Sequence, residues 1–498
     1  MKSISIKNNE HIALDSIPIL DYQTFSDVNT ALLQKENHHC VNYYGFLYLG
    51  KVKLICCIAD DLNNNILVSS TLADAKQTLP SLSRQCLAFE KFERELHENF
   101  GIQFEGHPWL KPVRYAFNKN DKNSSIRNYP FFKIESEELH EVGVGPIHAG
   151  IIEPGHFRFI CNGEQILHLE IQLGFQHRGI ESLFLQKEKL IQRHTLAENI
   201  AGDSAVGHTT AFANLWETLC RHEADAALHF NRTLALELER IAIHTGDLSG
   251  MCTDVAYQLG SAVFGRLRTP IINFFQQWCG NRIAKSLIRA GYNPFPFTPE
   301  LAEKLLQVLA SFETDFEEIC HETFCAPTVL GRFEKTGIVT HEQATSIGLV
   351  GMAARMTNIN RDIRASHPYN FYPSLSHTPI LKHHGDVYSR AQIKREEVKQ
   401  SIRYIRTLLM DMPIENLDRK PLPNPLPNTF AISLVEGWRG EICHCAITDD
   451  KGRLMHYKIK DPSFHNWLAL GLAVRNNEIS DFPISNKSFN LSYAGHDL

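Results

Sequence analysis

The feature that most restricts the fold is a change of hydrophobic period along the chain. Strand-like alternation near both ends encloses a long middle with helical spacing. That middle runs from about Ile180 to Arg364 and contains ESLFLQKEKLIQR, ALHFNRTLALELERIAIHTGDL and LAEKLLQVLASFETDFEEIC. Long stretches of this kind bury their apolar side against one another, so a helical bundle is expected. Before it stand two strand-like runs, HFRFICNG and QILHLEIQLG, joined at Asn162-Gly163, a strong signal for a two-residue hairpin. After it, strand character returns at Phe430 to Ile447 and near Leu454 to Ile459. The β structure from both ends should pack at one end of the bundle. A chain of 498 residues exceeds one ordinary core, so at least two domains are expected.

Residues 1 to about 115 form the other domain. There YYGFLYLG, KVKLICCIA and NILVSS alternate with a helical stretch near Leu79 to Glu98, the pattern of a small α/β unit. Asn118 to Ser125, NKNDKNSS, has no apolar side chain and reads as a linker. The expected class is α+β, with boundaries at 1–117, 118–135 for the linker, and 136–498. The chain has no internal repeat.

Composition excludes several classes. The net charge of -6 leaves no basic footprint, so nucleic acid is not an expected partner. No apolar run approaches the roughly 18 residues a membrane-spanning helix requires. The opening MKSISIKNNEHIALDS has neither the apolar core nor the small-residue cleavage site of a signal peptide. A cytosolic chain is expected, with any membrane association made through partners. The 12 cysteines are scattered with no C-x-x-C pair, and reduced thiols rather than disulfides are expected. Cys443-His444-Cys445 is the nearest approach to a metal motif, but it lies in a strand-like segment where small buried thiols are common. In a strand the two thiols would share one face. Neither a G-x-G-x-x-G turn after a strand nor a P-loop is present, so the chain itself should not bind a dinucleotide through such a site.

Several runs resemble a known family. ERELHENFGIQFEGHPWLKPVRY (Glu93 to Tyr115) is similar to the small hydrophilic subunit of complex I that has a ferredoxin-like α/β domain. GPIHAGIIEPGHFRF (Gly145 to Phe159) and GFQHRGIESL (Gly174 to Leu183) look like the opening hairpin and first helix of large subunits of complex I and of group 4 nickel–iron hydrogenases. ELERIAIH, NRIAKSLIRAG, NRDIRASHPY, GDVYSR and EGWRGE follow in collinear order. Fusion of the two subunits in one chain resembles the formate hydrogenlyase and hydrogenase-4 branch. The fold this implies is a ferredoxin-like domain followed by the helical-bundle large subunit. His107-Pro108 would be an interface element.

In hydrogenases of this family two pairs of cysteines hold the metals, because soft thiolates deprotonate on binding and bridge nickel and iron. The resemblance places those four positions on Ala201, Ser204, Ser492 and Gly495. Alanine and glycine offer no ligand, and neutral serine hydroxyls are poor ones, so no metal is expected in this chain. The chain also ends where such hydrogenases are cleaved on metal insertion, which the resemblance would associate with a subunit that is not matured. In complex I a tyrosine beside the first pair and a hairpin histidine bind the quinone head-group. The tyrosine position falls on Gly202, the arginine upstream of it on Asn199, and a histidine near the terminal cluster on Ala284. His156 matches the hydrogenase form of the hairpin.

The remaining polar residues of this region are the candidate site. Arg178 and Glu181 of HRGIE would share a helix face at i, i+3, either facing a neighbouring cluster or forming a structural salt bridge. Asp203 and His208 flank the first loop, and His496 and Asp497 close the second. Either they carry protons or they are capping and surface polarity. His148, His156 and Arg158 belong to a hairpin whose Gly145, Pro146, Gly150, Pro154 and Gly155 suggest a backbone that approaches something closely. The resemblance implies a peripheral subunit on the cytoplasmic face of the inner membrane. Its partners would be an iron–sulfur small subunit, which bears the cluster, and antiporter-like membrane subunits, with quinone as candidate acceptor and NAD handled elsewhere in the assembly. Two readings stand: a subunit taking part in electron transfer, or a non-catalytic subunit that docks the iron–sulfur subunit to the membrane arm.

Overall fold

The computed structural model describes residues 2–114, 125–148, 152–414 and 421–498. Near the N-terminus, strands His38–Tyr48, Lys51–Asp60 and Asn65–Ala73 form an antiparallel meander. Ile4–Ile6 pairs antiparallel and Ile19–Leu20 parallel with the last of them. Helices Tyr22–Leu33 and Glu90–Phe100 pack on this sheet.

The run KVKLICCIA is apolar on both faces because both faces are buried. Leu54, Cys56 and Ile58 join a core with Phe25, Phe92 and Leu96 from the two helices. Ile55, Cys57 and Ala59 point the other way, into a core shared with the bundle and the C-terminal sheet. The expected boundary between domains is therefore not a boundary of packing. Strand His11–Ala13 even leaves its own sheet to pair as an edge strand with Thr429–Glu436.

The helical stretch expected near Leu79 to Glu98 is shorter than the pattern suggested. Thr78–Pro80 is a strand paired with Gln103–Glu105, two 3₁₀ turns follow, and the α-helix begins at Glu90. Pro80 lacks an N–H, and the buried Glu93 carboxylate draws the preceding turn onto itself, accepting from the Leu82 amide at 2.7 Å and the Ser81 hydroxyl at 2.5 Å.

The second region opens with a three-stranded antiparallel sheet, His140–Val144, His156–Asn162 and Gln165–Gln172. Asn162 lies opposite Gln165, so the turn pair is Gly163-Glu164, one residue later than the dipeptide signal. Gly163 takes the positive φ of +56° that the turn demands.

The bundle is built on Ala226–Asp254, a helix buried over most of its surface and capped by Asp225, whose carboxylate accepts from the Leu228 amide at 2.9 Å. Gln258–Cys279, Val387–Met410 and Ala205–Leu219 pack against it, and Pro299–Cys325 packs on the first two of these. ESLFLQKEKLIQR is not one helix: Ile180–Gln186 and Leu190–Ala197 are separated by an extended charged link. Strands Thr429–Glu436, Glu441–Thr448 and Leu454–Lys460 form the C-terminal antiparallel sheet. It leads into helix Pro462–Ala473 through the cap Asp461. Among the described residues no helix is long and apolar enough to cross a membrane.

Candidate functional site

Two loops meet at one end of the bundle: residues 199–204, before helix Ala205–Leu219, and residues 490–497, which end in the short helix Tyr493–Asp497. Arg178 ties them together. Its guanidinium donates to the carbonyls of Ile200 at 2.8 Å, Ala494 at 2.9 Å and Gln176 at 3.2 Å, and to that of Asn199. One planar cation with five donors does what a lysine could not.

Arg178 does not share a helix face with Glu181, contrary to the expected i, i+3 pair. Gly179 sits at φ +69° as the cap of helix Ile180–Gln186, so Arg178 lies outside the helix and points away. Glu181 accepts from the Ile459 amide at 2.9 Å and faces Lys458 at 3.1 Å, within a buried cluster where Lys458 also meets Glu95 at 2.6 Å.

The four positions that the resemblance assigns to metal ligands present no free donor group. Ala201 is buried and has no ligand atom. The Ser204 hydroxyl accepts from Arg439 at 3.2 Å, and the Ser492 hydroxyl accepts from the Gly495 amide at 2.8 Å as a helix cap. At Gly495 a β-carbon would lie 2.6 Å from Cγ of Asp461. The Asp461 carboxylate thus fills the space a side chain at 495 would need. These four residues present no thiolate to a nickel–iron centre.

Asp461 is anchored on both oxygens. One accepts from the Ser463 amide at 2.8 Å, and the other lies 2.9 Å from Nε2 of the fully buried His208. Burial pushes its carboxyl up, but the hydrogen bond and charge of His208, with Arg439, hold it below the usual range. His208 Nδ1 is 3.1 Å from His444 Nε2, and His444 Nδ1 is 2.7 Å from the Tyr457 hydroxyl. Asp461, His208, His444 and Tyr457 thus form one buried hydrogen-bonded row.

Asp203 is held in a two-pronged pair by Arg439, both contacts 2.6 Å. On its other side lies Glu239 of the central helix, which accepts from the amides of Val206 at 2.8 Å and Gly207 at 3.3 Å, at the start of helix Ala205–Leu219. Burial pushes Glu239 up to about 8 in spite of those donors, with the charge of Asp203 adding to the shift. The two acids, Gly202, Arg268 and Arg282 line a recess of about 20 Å³. That is room for one water. Glu153, from the hairpin, reaches the second loop at the Tyr493 amide, 3.2 Å away, and burial and Asp203 raise its carboxyl.

His148, His156 and Arg158 are not brought to these loops. His148 Nε2 is 2.8 Å from the Gly155 carbonyl, His156 Nδ1 is 3.1 Å from that of Gly145, and Arg158 pairs with Glu141 at 2.8 Å. They stitch the hairpin to itself. Its close approach is made by Gly155, where a β-carbon would lie 2.5 Å from the Tyr493 ring. Gly150 lies outside the described residues. His496 and Asp497 are buried; Asp497 caps the Gly174 and Gln176 amides at 2.8 and 2.9 Å. His107 bonds the Glu90 carbonyl at 3.0 Å, within the N-terminal domain.

Sequence reasoning passed over Glu153, Glu239, Arg439 and Asp461. A signal for Glu239 was present: a helix apolar all round is buried, so the charges inside LALELERIAIH must have partners. The same signal leads to a second network. Glu397 meets Arg355 at 2.7 Å, Arg364 at 2.9 Å, Arg240 at 3.4 Å and His244 at 2.7 Å, all fully buried. The motifs ELERIAIH, NRDIRASHPY and EGWRGE, distant in sequence, converge there, with Glu436 bonded to Arg355 at 2.9 Å. On strand Glu441–Thr448, Cys443 and Cys445 do share a face, their sulfurs 3.7 Å apart against Asn42, while His444 points to His208. Burial pushes both thiols well up. Among the described residues no group of three or more His, Cys, Asp or Glu is placed to hold a metal ion.

Both regions of the chain match known proteins. Residues 20–121 match the family model of the respiratory-chain NADH dehydrogenase 30 Kd subunit, and residues 254–428 that of its 49 Kd subunit. Hydrogenase-4 component G of Escherichia coli is 25% identical over 479 residues, covering 93% of this chain and 81% of that protein. The NADH-quinone oxidoreductase C/D subunit of Phocaeicola vulgatus is 26% identical, covering 80% of this chain and 82% of its own length. The membrane-bound hydrogenase subunit alpha of Pyrococcus furiosus is 25% identical over 69% of this chain and 84% of that protein.

Proposed function

Because the chain belongs, as a fused 30-kDa- and 49-kDa-type subunit, to the family shared by respiratory NADH dehydrogenase and hydrogenase-4, we propose that it is the large peripheral subunit of an ion-translocating oxidoreductase without a nickel–iron centre of its own. It would sit on the cytoplasmic face of the membrane, docked to an iron–sulfur subunit and, through it, to antiporter-like membrane subunits. Electrons from the neighbouring cluster would pass to a quinone. The observation that carries this reading is the contrast at the two loops: all four ligand positions are closed, while the recess beside them is lined with acids.

Reducing a quinone takes two electrons and two protons, so the site must deliver protons near the head-group. A β-carbon at Gly202 would meet nothing within 4 Å, which leaves the backbone open to a head-group seated between this chain and its partner. Glu239, raised to about 8, is protonated at neutral pH and supplies one donor. Arg439 holds Asp203 in a fixed orientation at the mouth. Glu153 stands across from them at the second loop.

The test uses the purified complex. No stoichiometric nickel and no hydrogen uptake are expected, together with a fall of about tenfold or more in quinone reduction for Glu239→Gln, the range of lost general-acid assistance. Nickel near one per chain would overturn the reading. A coupling subunit without its own chemistry is the second reading, favoured by Arg178, whose donors all go to backbone carbonyls. Quinone reduction indifferent to both Glu239→Gln and Asp203→Asn would select it.

A further inference from the structure

A cavity of about 730 Å³ opens between the N-terminal domain, residues 129–134, strand Gln165–Gln172 and helix Pro462–Ala473. Its size lies within the roughly 300–1,000 Å³ of small-molecule sites. Trp109, Leu110, Phe132, Leu169, Trp467 and Leu468 make its wall largely apolar. Phe132 is 50% exposed there, a large ring left facing water.

The acids of the wall are already engaged. Glu90 takes Arg94 at 2.8 Å and the Trp109 indole at 2.6 Å. Glu170 takes Lys111 and the Phe132 amide, the latter at 2.7 Å. Arg94 spends its other donors on the carbonyls of Lys111 and Pro112. Lys91 is different. Its ammonium stands 5.7 Å over the Phe464 ring, is half-buried, and among the described residues has no ion pair or hydrogen bond. The exposed Arg475 adds a second positive charge to the lining.

We propose that this cavity binds an amphipathic anion, an apolar chain with one carboxylate head set against Lys91. The apolar wall gains from each methylene it removes from water. The unpaired Lys91 ammonium selects an anionic group, the exposed Arg475 adds charge of the same sign, and a neutral ligand would leave Lys91 unmatched. Burial pushes Lys91 down to about 7, against the pull of Glu90, which is the behaviour of an ammonium short of a counter-charge. The same cavity is lined by His496, next to Gly495 in the second loop, so a ligand there would press on the segment that holds Asp461 in place. The proposal is independent of the quinone reading, since no residue of that recess lines this cavity.

The experiment titrates the full-length chain with dodecanoate, and separately with dodecanol, by calorimetry. Saturable binding of dodecanoate at one per chain is expected. Lys91→Gln should weaken dodecanoate by about tenfold or more while leaving dodecanol nearly unchanged, the signature of one lost charge-assisted contact. Leu468→Trp, which fills the cavity, should weaken both, and Gly471→Leu repeats that test should the first variant melt early. Absence of saturable binding, or dodecanoate affinity that neither Lys91→Gln nor a filled cavity reduces, would overturn the proposal. So would a Lys91→Gln variant, folded by its melting curve, that loses both ligands equally.

Discussion

Substituting Gly495 by alanine puts a β-carbon 2.6 Å from Cγ and 2.7 Å from Oδ2 of Asp461, where no relaxed contact exists. The carboxylate is the group that must withdraw, since the glycine lies in the short helix Tyr493–Asp497. Withdrawal loses the 2.9 Å contact with His208, a bond to a charged acceptor worth about 1.5–3 kcal/mol. It also loses the 2.8 Å cap on Ser463, worth about 1 kcal/mol. Alanine's better helix propensity returns at most about 1 kcal/mol. The net local cost is about 2–3 kcal/mol. Amide exchange of a peptide spanning 490–498, read by mass spectrometry, should therefore quicken roughly 30- to 150-fold. In an Asp461→Ala background the clash and both bonds are already gone, and Gly495→Ala should add almost nothing. Additive effects of the two substitutions would refute the argument. The same clash predicts that introducing cysteines at 201, 204, 492 and 495 yields no stoichiometric nickel.

Four other outcomes follow from the buried charges. Glu239 is neutral at pH 7 with a folded pKa of about 8, so Glu239→Gln should remove a protonated-carboxyl band from the infrared spectrum. That pKa lies above the unfolded value of about 4.3, so the stability it lends is full below that value and declines as pH rises through 8; the glutamine variant should lack the decline. Lys460→Met strands Glu441, which also faces His39 at 2.6 Å, and should cost about 3–5 kcal/mol, seen as a lower melting transition. Arg178→Lys keeps the charge but cannot reach four carbonyls, and should raise exchange in both 199–204 and 490–497. Arg439→Ala should loosen the same loops and free Asp203, read as faster proteolysis of the first loop.

Legibility from sequence followed the range of the forces involved. Helix Ala226–Asp254, the hairpin, and the strands near Phe430 and Leu454 were visible because periodicity and caps act over a few residues. Boundaries set by distant partners were not. Periodicity overextends the helix before Phe100 because the acceptor that reorganises residues 81–83, Glu93, is recruited across a turn. Helical spacing puts Arg178 and Glu181 on one face because the positive φ at Gly179 has no signature beyond the glycine itself.

By itself, then, the sequence determined the α+β class and the order of elements, since residue identity and spacing carry both. Only the tertiary structure decided what surrounds the two loops. Asp461 enters the space beside Gly495 from a separate strand-to-helix junction, and Arg439 reaches Asp203 from a strand turn more than two hundred residues away in the chain. Such contacts depend on how sheets and helices stack, which leaves no local mark along the chain. The N-terminal sheet and the C-terminal sheet bury one common core for the same reason: two-sided apolar strands announce that they will be covered, but not by what.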